Sequence, residues 1–214
     1  MDIEAYLHQI SKRIPDLFFV EIGAMDGRAF DPLYGFVQKY KWKGVLVEPI
    51  KDWFEYLKIN YKGCEQLHFE NSAITEREEV RQIYRIPIKL VKRRTVPMWI
   101  SGSSSFYDNR NEIANYKHLA VRESVKCITL KMLFDKYNIS KVDVLQIDVE
   151  GFDYKVFKQF DFSKFRPYFI SIEVCNLPDN ETQKIISILE KERYLYEING
   201  QDLFAKPANP KIFL

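Results

Sequence analysis

The stretch "FFVEIGAMDG", residues 18–27, decides the fold. An apolar run ends in an acid, Glu21, and Gly23, Asp26 and Gly27 follow within six positions. Such a run has two readings. One is an ordinary strand end closed by a tight turn. The other is a nucleotide-type pocket, where missing side chains let a ligand touch backbone and the acid grips its polar end. The flanking sequence separates them.

Working outward, short apolar runs alternate with amphipathic stretches of helix length. "LFFVEIG" predicts a buried strand, and "PLYGFVQKYK" a helix opened by Asp31 and Pro32. "KGVLVEP" is the next strand, and "IKDWFEYLKINY" carries Trp53, Tyr56, Leu57 and Tyr61 as a helical stripe. "QLHFENSAI" and the alternating "EEVRQIYRI" predict further strands. The helix "TLKMLFDKYN" leads to "KVDVLQIDVEG", the most strand-like run of the chain. "YFISIEVCN" repeats that pattern before the helix "DNETQKIISILEKE", and "YLYEING" with "DLFAKP" predicts a hairpin around Asn199 and Gly200. Alternating strands and helices predict an α/β fold with a parallel, doubly wound sheet.

The 214 residues suit one such domain over 1–214. Hydrophobic residues make up 46%, enough for a real core, and a net charge of +2 commits the chain to no nucleic acid. Cys64, Cys127 and Cys175 are scattered, with no CxxC pair, which argues against a zinc site or disulfide framework and for a reducing, cytoplasmic setting. "MDIEAYLHQISKRIPD" is charged and helical in period, unlike a signal peptide, and no apolar run approaches the roughly 20 residues of a membrane span. One segment breaks the rhythm. Six Arg or Lys and no acid lie between Arg81 and Arg94, and "SGSSSFYDNRN" follows. A connection this long predicts a lid or acceptor-side insertion at about 86–115.

In an open parallel sheet, ligands bind beyond the carboxyl ends of the strands. Four predicted strands end in acids there: Glu21, Glu48, Asp148 and Glu173. Like charges crowded on one edge repel unless something positive joins them, so a cationic ligand, a metal, or both are expected. Glu48 follows Gly23 by the spacing that lets an acid accept the hydroxyls of a ribose. The turn itself reads G-x-x-x-G and not G-x-G-x-x-G, and Glu21 beside it would repel a pyrophosphate. An adenosyl ligand with a positive, phosphate-free end fits, and S-adenosylmethionine is one.

Taken together, "FFVEIGAMDGRAFD", "GVLVEP", "ENSAI", "SGSSSF" and "VDVLQIDVEGFDYKVF" resemble the FkbM-type methyltransferase family, in its order, over residues 17–175. The resemblance implies a class I S-adenosylmethionine-dependent fold: a Rossmann-like, seven-stranded, mostly parallel sheet with helices on both faces and its last strand antiparallel. It implies O-methylation of small or glycan hydroxyls. Glu21, Gly23 and Gly27 would line the methionine end of the cofactor, Glu48 would hold the ribose, and Asn71, Ser72 and Ala73 would flank the adenine. Ala24, Asp31, Pro49 and Asp148 complete the expected cofactor contacts. Met25 and Asp26 depart from the asparagine-containing turn of many members.

Methyl transfer from a sulfonium needs no help for its leaving group; the alcohol nucleophile must lose a proton. A carboxylate can take it, or a divalent metal can lower the alcohol's pKa. Asp148, Glu150 and Glu173 are the catalytic candidates, Asp148 and Glu150 sharing one side if the strand continues. Similarity to metal-assisted sugar methyltransferases suggests a magnesium-like ion at Asp148 and Glu173 with Glu150 as base. The other reading has Asp148 touching the cofactor and Glu150 capping the next helix. His68 reads as structural. Ser104, Ser105, Tyr107 and Arg110 of the serine-rich loop, with His118 beyond it, are candidate contacts for a sugar or glycan acceptor. The rivals are a nucleic-acid 2′-O-methyltransferase, a dinucleotide oxidoreductase and a non-catalytic binding module. The first is disfavoured because "IDVEG" carries no lysine beside its acid, the second by the absent G-x-G-x-x-G, and the third by acids at every strand end.

Overall fold

A computed structural model describes residues 2–109 and 111–209, with only the backbone at 111 and 112. In chain order the elements are α1 (Ile3–Arg13), β1 (Phe18–Ile22), α2 (Tyr34–Tyr40), β2 (Lys43–Val47), α3 (Lys51–Asn60), β3 (Leu67–Glu70), β4 (Ala73–Ile74) and β5 (Glu79–Arg85). There follow α4 (Ile88–Lys92), α5 (Asn111–Asn115), β6 (Val121–Ile128), α6 (Leu130–Lys136), β7 (Val144–Ile147) and α7 (Asp153–Phe157). The chain then forms β8 (Phe169–Glu173), α8 (Asp179–Lys191), β9 (Tyr194–Asn199) and β10 (Asp202–Pro207).

Seven strands make one sheet in the order β3-β2-β1-β7-β8-β10-β9. The first five are parallel, and β10 runs antiparallel to β8 and β9. The expected α/β sheet is therefore present, and the expected tail hairpin supplies its antiparallel strand. Alternation along each strand sends side chains to opposite faces. Val20, Ile22, Val45, Val47, Leu145, Ile147, Ile170 and Ile172 pack on one side with Leu133 of α6, Phe157 of α7 and Ile185 of α8. Phe19, Leu46, Val144 and Phe169 face the other, against Leu7 of α1, Val37 of α2 and Leu57 of α3. Both faces are covered, which is why the central strands are apolar almost throughout.

A second sheet, β4-β6-β5, was not expected as a unit. β5 pairs antiparallel with β6 along its whole length, and Ile83, Val125 and Cys127 close over Trp53 of α3. The long connection between β5 and β6 holds α4, α5 and two 3-10 turns, Met98–Ser101 and Lys117–Leu119, around a small apolar cluster of Ile86, Val96, Ile100 and Ile113. Among the described residues, no helix is long and apolar enough to cross a membrane.

Candidate active site

β1 lies between β2 and β7, where the chain reverses its direction of travel across the sheet. Crevices open beyond strand ends at such a point. A cavity of about 680 Å3 sits there, in the range of small-molecule sites. All four strand-end acids, Glu21, Glu48, Asp148 and Glu173, line it. So do Gly23, Ala24, Asp31, Pro49, Ser72 and Ala73, and, from the connection between β5 and β6, Trp99, Gly102, Ser103, Ser104 and Phe106.

The loop after β1 is shaped by close approach. Gly23 and Ala24 donate their N–H groups to the Val47 carbonyl at 2.9 and 3.0 Å. Gly23 has φ 93, and a Cβ there would lie 1.7 Å from the Asp148 carbonyl oxygen. Its missing side chain thus serves the crossing of two loops before it serves any ligand. Gly27, with φ 66, is different again: a Cβ would strike Leu57 and Tyr61 of the core. Gly27 is buried and does not line the cavity, a correction to its expected contact with the cofactor. Its role is to let the loop settle onto α3.

Glu48 fastens this loop to the next. One carboxylate oxygen accepts from the Met25 N–H at 2.9 Å and the other from the Ile50 N–H at 2.7 Å. Burial pushes its pKa up to about 8 despite those bonds. Each oxygen keeps a further lone pair for a ligand hydroxyl. Asn71 is exposed and donates to the Glu48 and Pro49 carbonyls at 2.8 and 3.1 Å. It positions the Glu48 loop from outside the cavity and does not flank it, again a correction.

Deeper in, Glu21 of β1 is paired in register with Gln146 of β7. Gln146 donates to one Glu21 oxygen at 3.5 Å, while Glu21 Oε2 and Gln146 Oε1 are buried without a partner. Unpaired buried acceptors are costly, and here both line the cavity. An ammonium with three donors would satisfy them, so the residues present fit the amino-acid end of S-adenosylmethionine. Burial, then the charges of Asp31 and Asp148, raise the Glu21 pKa well above the carboxylate range. Burial likewise holds Asp31 at about 7. Gln146 was missed in sequence; its signal was a lone polar residue inside an apolar strand.

The third group lies at the ends of β7 and β8. Asp148, Glu150 and Glu173 each bring a carboxylate oxygen within 4.8 Å of the others. They do so by a turn and not by the shared strand face that was expected. β7 stops at Ile147, and Glu150 and Gly151 take φ 56 and φ 94. Asp153, fully buried, accepts from the Val149 N–H at 2.9 Å and the Gly151 N–H at 3.0 Å, clamping the turn on both sides of Glu150. Asn176, which no sequence signal marked, donates its amide to Glu150 Oε2 at 2.9 Å and Glu173 Oε2 at 3.0 Å. Burial first, and then the crowding of like charge, raises all three pKa values, Glu173 to about 7. Asp148 is exposed to the cleft, so water there tempers its shift. Cys175 donates its thiol to Glu173 at 3.5 Å and is itself pushed up to about 12, a thiol kept protonated.

The acceptor candidates separate. Ser104 lines the cavity with its hydroxyl buried and unpartnered. Ser105 is turned inward, donating to the Glu150 carbonyl at 2.8 Å. Tyr107 accepts from Lys155 at 3.1 Å, and neither it nor Ser105 lines the cavity. His118 is exposed in the second 3-10 turn, also away from the lining. Arg110 lies outside the described residues. His68 is exposed on β3, its ring tilted against Tyr137 with centroids 5.1 Å apart, and it does not line the cavity.

Comparison with known proteins bears on the family and the fold. A family model described as a methyltransferase FkbM domain matches residues 21–197. No curated protein matches the chain. Among solved structures, methyltransferase FkbM from Methylobacillus flagellatus KT superposes with a TM-score of 0.56 at 11% identity, over 90% of this chain and 44% of that one. The chain thus spans less than half the length of that relative, and the likeness shows the fold alone. A precorrin-6y C5,15-methyltransferase from Geobacter metallireducens GS-15 aligns at a TM-score of 0.47 and 8% identity, over 94% of this chain and 83% of that one. A ribosomal protein L11 methylase from Lactobacillus delbrueckii subsp. bulgaricus aligns at 0.46 and 8%, over 94% and 74%.

Proposed function

The chain belongs to the FkbM methyltransferase domain family, and from that premise we propose that it is an S-adenosylmethionine-dependent O-methyltransferase acting on a hydroxyl of a sugar or glycan. The observation that carries this reading is the convergence of Asp148, Glu150 and Glu173 within 4.8 Å at the cavity wall. S-adenosylmethionine, when bound, supplies a methyl group on a sulfonium and leaves as a neutral thioether. Everything else falls to the chain. Glu21 and Gln146 offer unpaired acceptors to an ammonium, and Glu48, held by two N–H groups, offers its free lone pairs to vicinal hydroxyls. The attacking alcohol must pass its proton to a carboxylate as its oxygen bonds to the methyl carbon. Glu150 is the base in this reading. Burial and the neighbouring carboxylates raise its proton affinity, and Asn176 holds it in place.

A second reading of the same three carboxylates is supported by their spacing. A magnesium-like ion taking oxygens from Asp148 and Glu173 would relieve their repulsion and lower the alcohol's pKa. The basic run from Arg81 to Arg94 lies on β5, α4 and the turn after α4, and among the described residues none of its cations lines the cavity, which weighs against a nucleic-acid acceptor. The free cysteines Cys64, Cys127 and Cys175 support an intracellular setting. Incubation with a panel of glycosides, followed by product mass spectrometry, tests the proposal. A gain of one methyl group on a sugar oxygen supports it; transfer to RNA alone, or nicotinamide-dependent redox chemistry, overturns it.

A further inference from the structure

Two aromatic side chains stand in solvent where the cavity opens. Phe30 is 70% exposed and Trp99 45% exposed, and both line the cavity. Phe30 also has φ 62, a left-handed conformation that bulky residues rarely adopt. The fold holds it there deliberately. Asp26 accepts from the Arg28 and Ala29 N–H groups at 3.0 and 2.7 Å, and Asp31 accepts from the Leu33 N–H at 2.7 Å, so the loop is pinned on both sides of Phe30. Backbone strain kept by such local bonds at an exposed aromatic points to a binding role, since no core packing rewards it.

Trp99 is presented as firmly. The Trp53 indole donates to the Ser101 carbonyl at 2.9 Å, and Tyr116 meets the Trp99 ring edge-on with centroids 6.4 Å apart. At Gly102 an added Cβ would sit 3.2 Å from the sulfur of Met25, so this turn rests directly on the loop that follows β1. The charge of the cavity narrows the occupant further. Six carboxylates line it (Glu21, Asp31, Glu48, Asp148, Glu150 and Glu173), and among the described residues no Lys, Arg or His does. An anionic acceptor entering here would meet these carboxylates and, among the described residues, no cationic side chain in the lining.

We propose that Phe30 and Trp99 form the acceptor platform, on which the apolar face of an uncharged sugar ring is laid, and that the site selects neutral sugars over uronic acids and sugar phosphates. The inference rests on the sugar O-methyltransferase reading above. The deep acceptors of Glu21, Gln146 and Glu48 serve the cofactor, which leaves the aromatic mouth for the second substrate. Asp148 and Glu150 line the same cavity and are the carboxylates available to that substrate's hydroxyls.

Trp99 offers its own readout, because Trp42 and Trp53 are only 2% and 6% exposed. The protein, saturated with S-adenosylhomocysteine, is titrated with methyl glucopyranoside, mannopyranoside and galactopyranoside, then with methyl glucuronide and glucose 6-phosphate, following tryptophan emission and, with S-adenosylmethionine, turnover. The expected result is an emission change with a neutral glycoside that Trp99→Phe abolishes. Phe30→Ala should raise the acceptor KM about ten-fold, Phe30→Tyr should restore it, and affinity for S-adenosylhomocysteine should stay unchanged in both. Uronic acids or phosphates used as well as their neutral parents would overturn the platform while leaving sugar methylation intact. An unchanged KM in both Phe30→Ala and Trp99→Ala would do the same. Methylation of a non-sugar hydroxyl with no glycoside binding would overturn both readings.

Discussion

Gly23 and Asp148 touch through their backbones: a single Cβ on Gly23 would stand 1.7 Å from the Asp148 carbonyl oxygen. The loop after β1 and the loop after β7 are therefore one mechanical unit. Gly23→Ala must part them, at φ 93 as well, and should cost about 2 kcal/mol or more of stability. It should also weaken S-adenosylhomocysteine binding. Gly35, in α2 with nothing within 4 Å of a built Cβ, is the control, and Gly35→Ala should be neutral or slightly stabilising. Chemical denaturation of the two variants side by side checks both.

Glu48 should be the most sensitive single side chain for cofactor affinity. Glu48→Ala removes the acceptor of the Met25 and Ile50 N–H groups together with any bond to the ligand hydroxyls. Hydrogen bonds contribute about 0.5–1.5 kcal/mol each, and several are lost together, so affinity should fall by about ten-fold in calorimetry. Unchanged affinity would remove Glu48 from the binding site.

Ligand-free protein should lose stability as pH rises from about 4.5 to about 8. The sign follows from the direction of the shifts. Glu48 at about 8, Asp31 at about 7 and Glu173 at about 7 all hold protons in the folded state that the unfolded chain has already released, so folding is penalised as each ionises. Thermal melts across that window should show the decline, and S-adenosylmethionine, whose cationic groups compensate the carboxylates, should flatten it. A melting temperature rising through the window would contradict these assignments.

Glu150→Gln and Asp148→Asn keep shape while removing charge. Each should slow methyl transfer by about 10²–10⁴-fold, the usual worth of a general base, and Glu150→Gln should leave cofactor affinity alone. Chelation separates the two readings of the cluster. Lost turnover restored by magnesium supports an ion at Asp148 and Glu173; indifference to chelation leaves Glu150 acting unaided.

Asp153 should matter to catalysis without touching either substrate. Asp153→Ala frees the Val149 and Gly151 N–H groups, and Glu150 loses what holds it at φ 56. Turnover should fall while S-adenosylhomocysteine still binds, which single-turnover kinetics and calorimetry together resolve. Asp153→Asn, which keeps one acceptor, should recover part of the rate.

Much of the architecture was legible because it is local. The apolar runs of β1, β2, β7 and β8 are the signature of strands covered on both faces, and Asp or Glu at their ends marks the cavity edge regardless of what surrounds it. The spacing from Gly23 to Glu48 follows from one strand, one helix and a second strand laid side by side. What stayed hidden depends on contacts between distant segments. β6 reads as polar because Arg122, Ser124 and Lys126 lie on its exposed side, and its partner β5 is separated from it by the whole long connection. Gly27 looked like a ligand-facing glycine because its sequence context cannot say on which side Leu57 and Tyr61 will stand. Asn176 is one polar residue after a strand until the sheet brings it between Glu150 and Glu173.

Local sequence thus determined the strand order's raw material, the family and the acids that meet at the sheet's edge, because hydrophobic period and chain direction act over a few residues. Only tertiary structure decided how Asp148, Glu150 and Glu173 converge, since that required a left-handed turn clamped by Asp153 and an amide from another loop. It also decided which serines and aromatics reach the cavity. Side-chain direction in a long connection is set by whatever the rest of the chain packs against it, as Trp53 and Met25 do for the turn that carries Trp99.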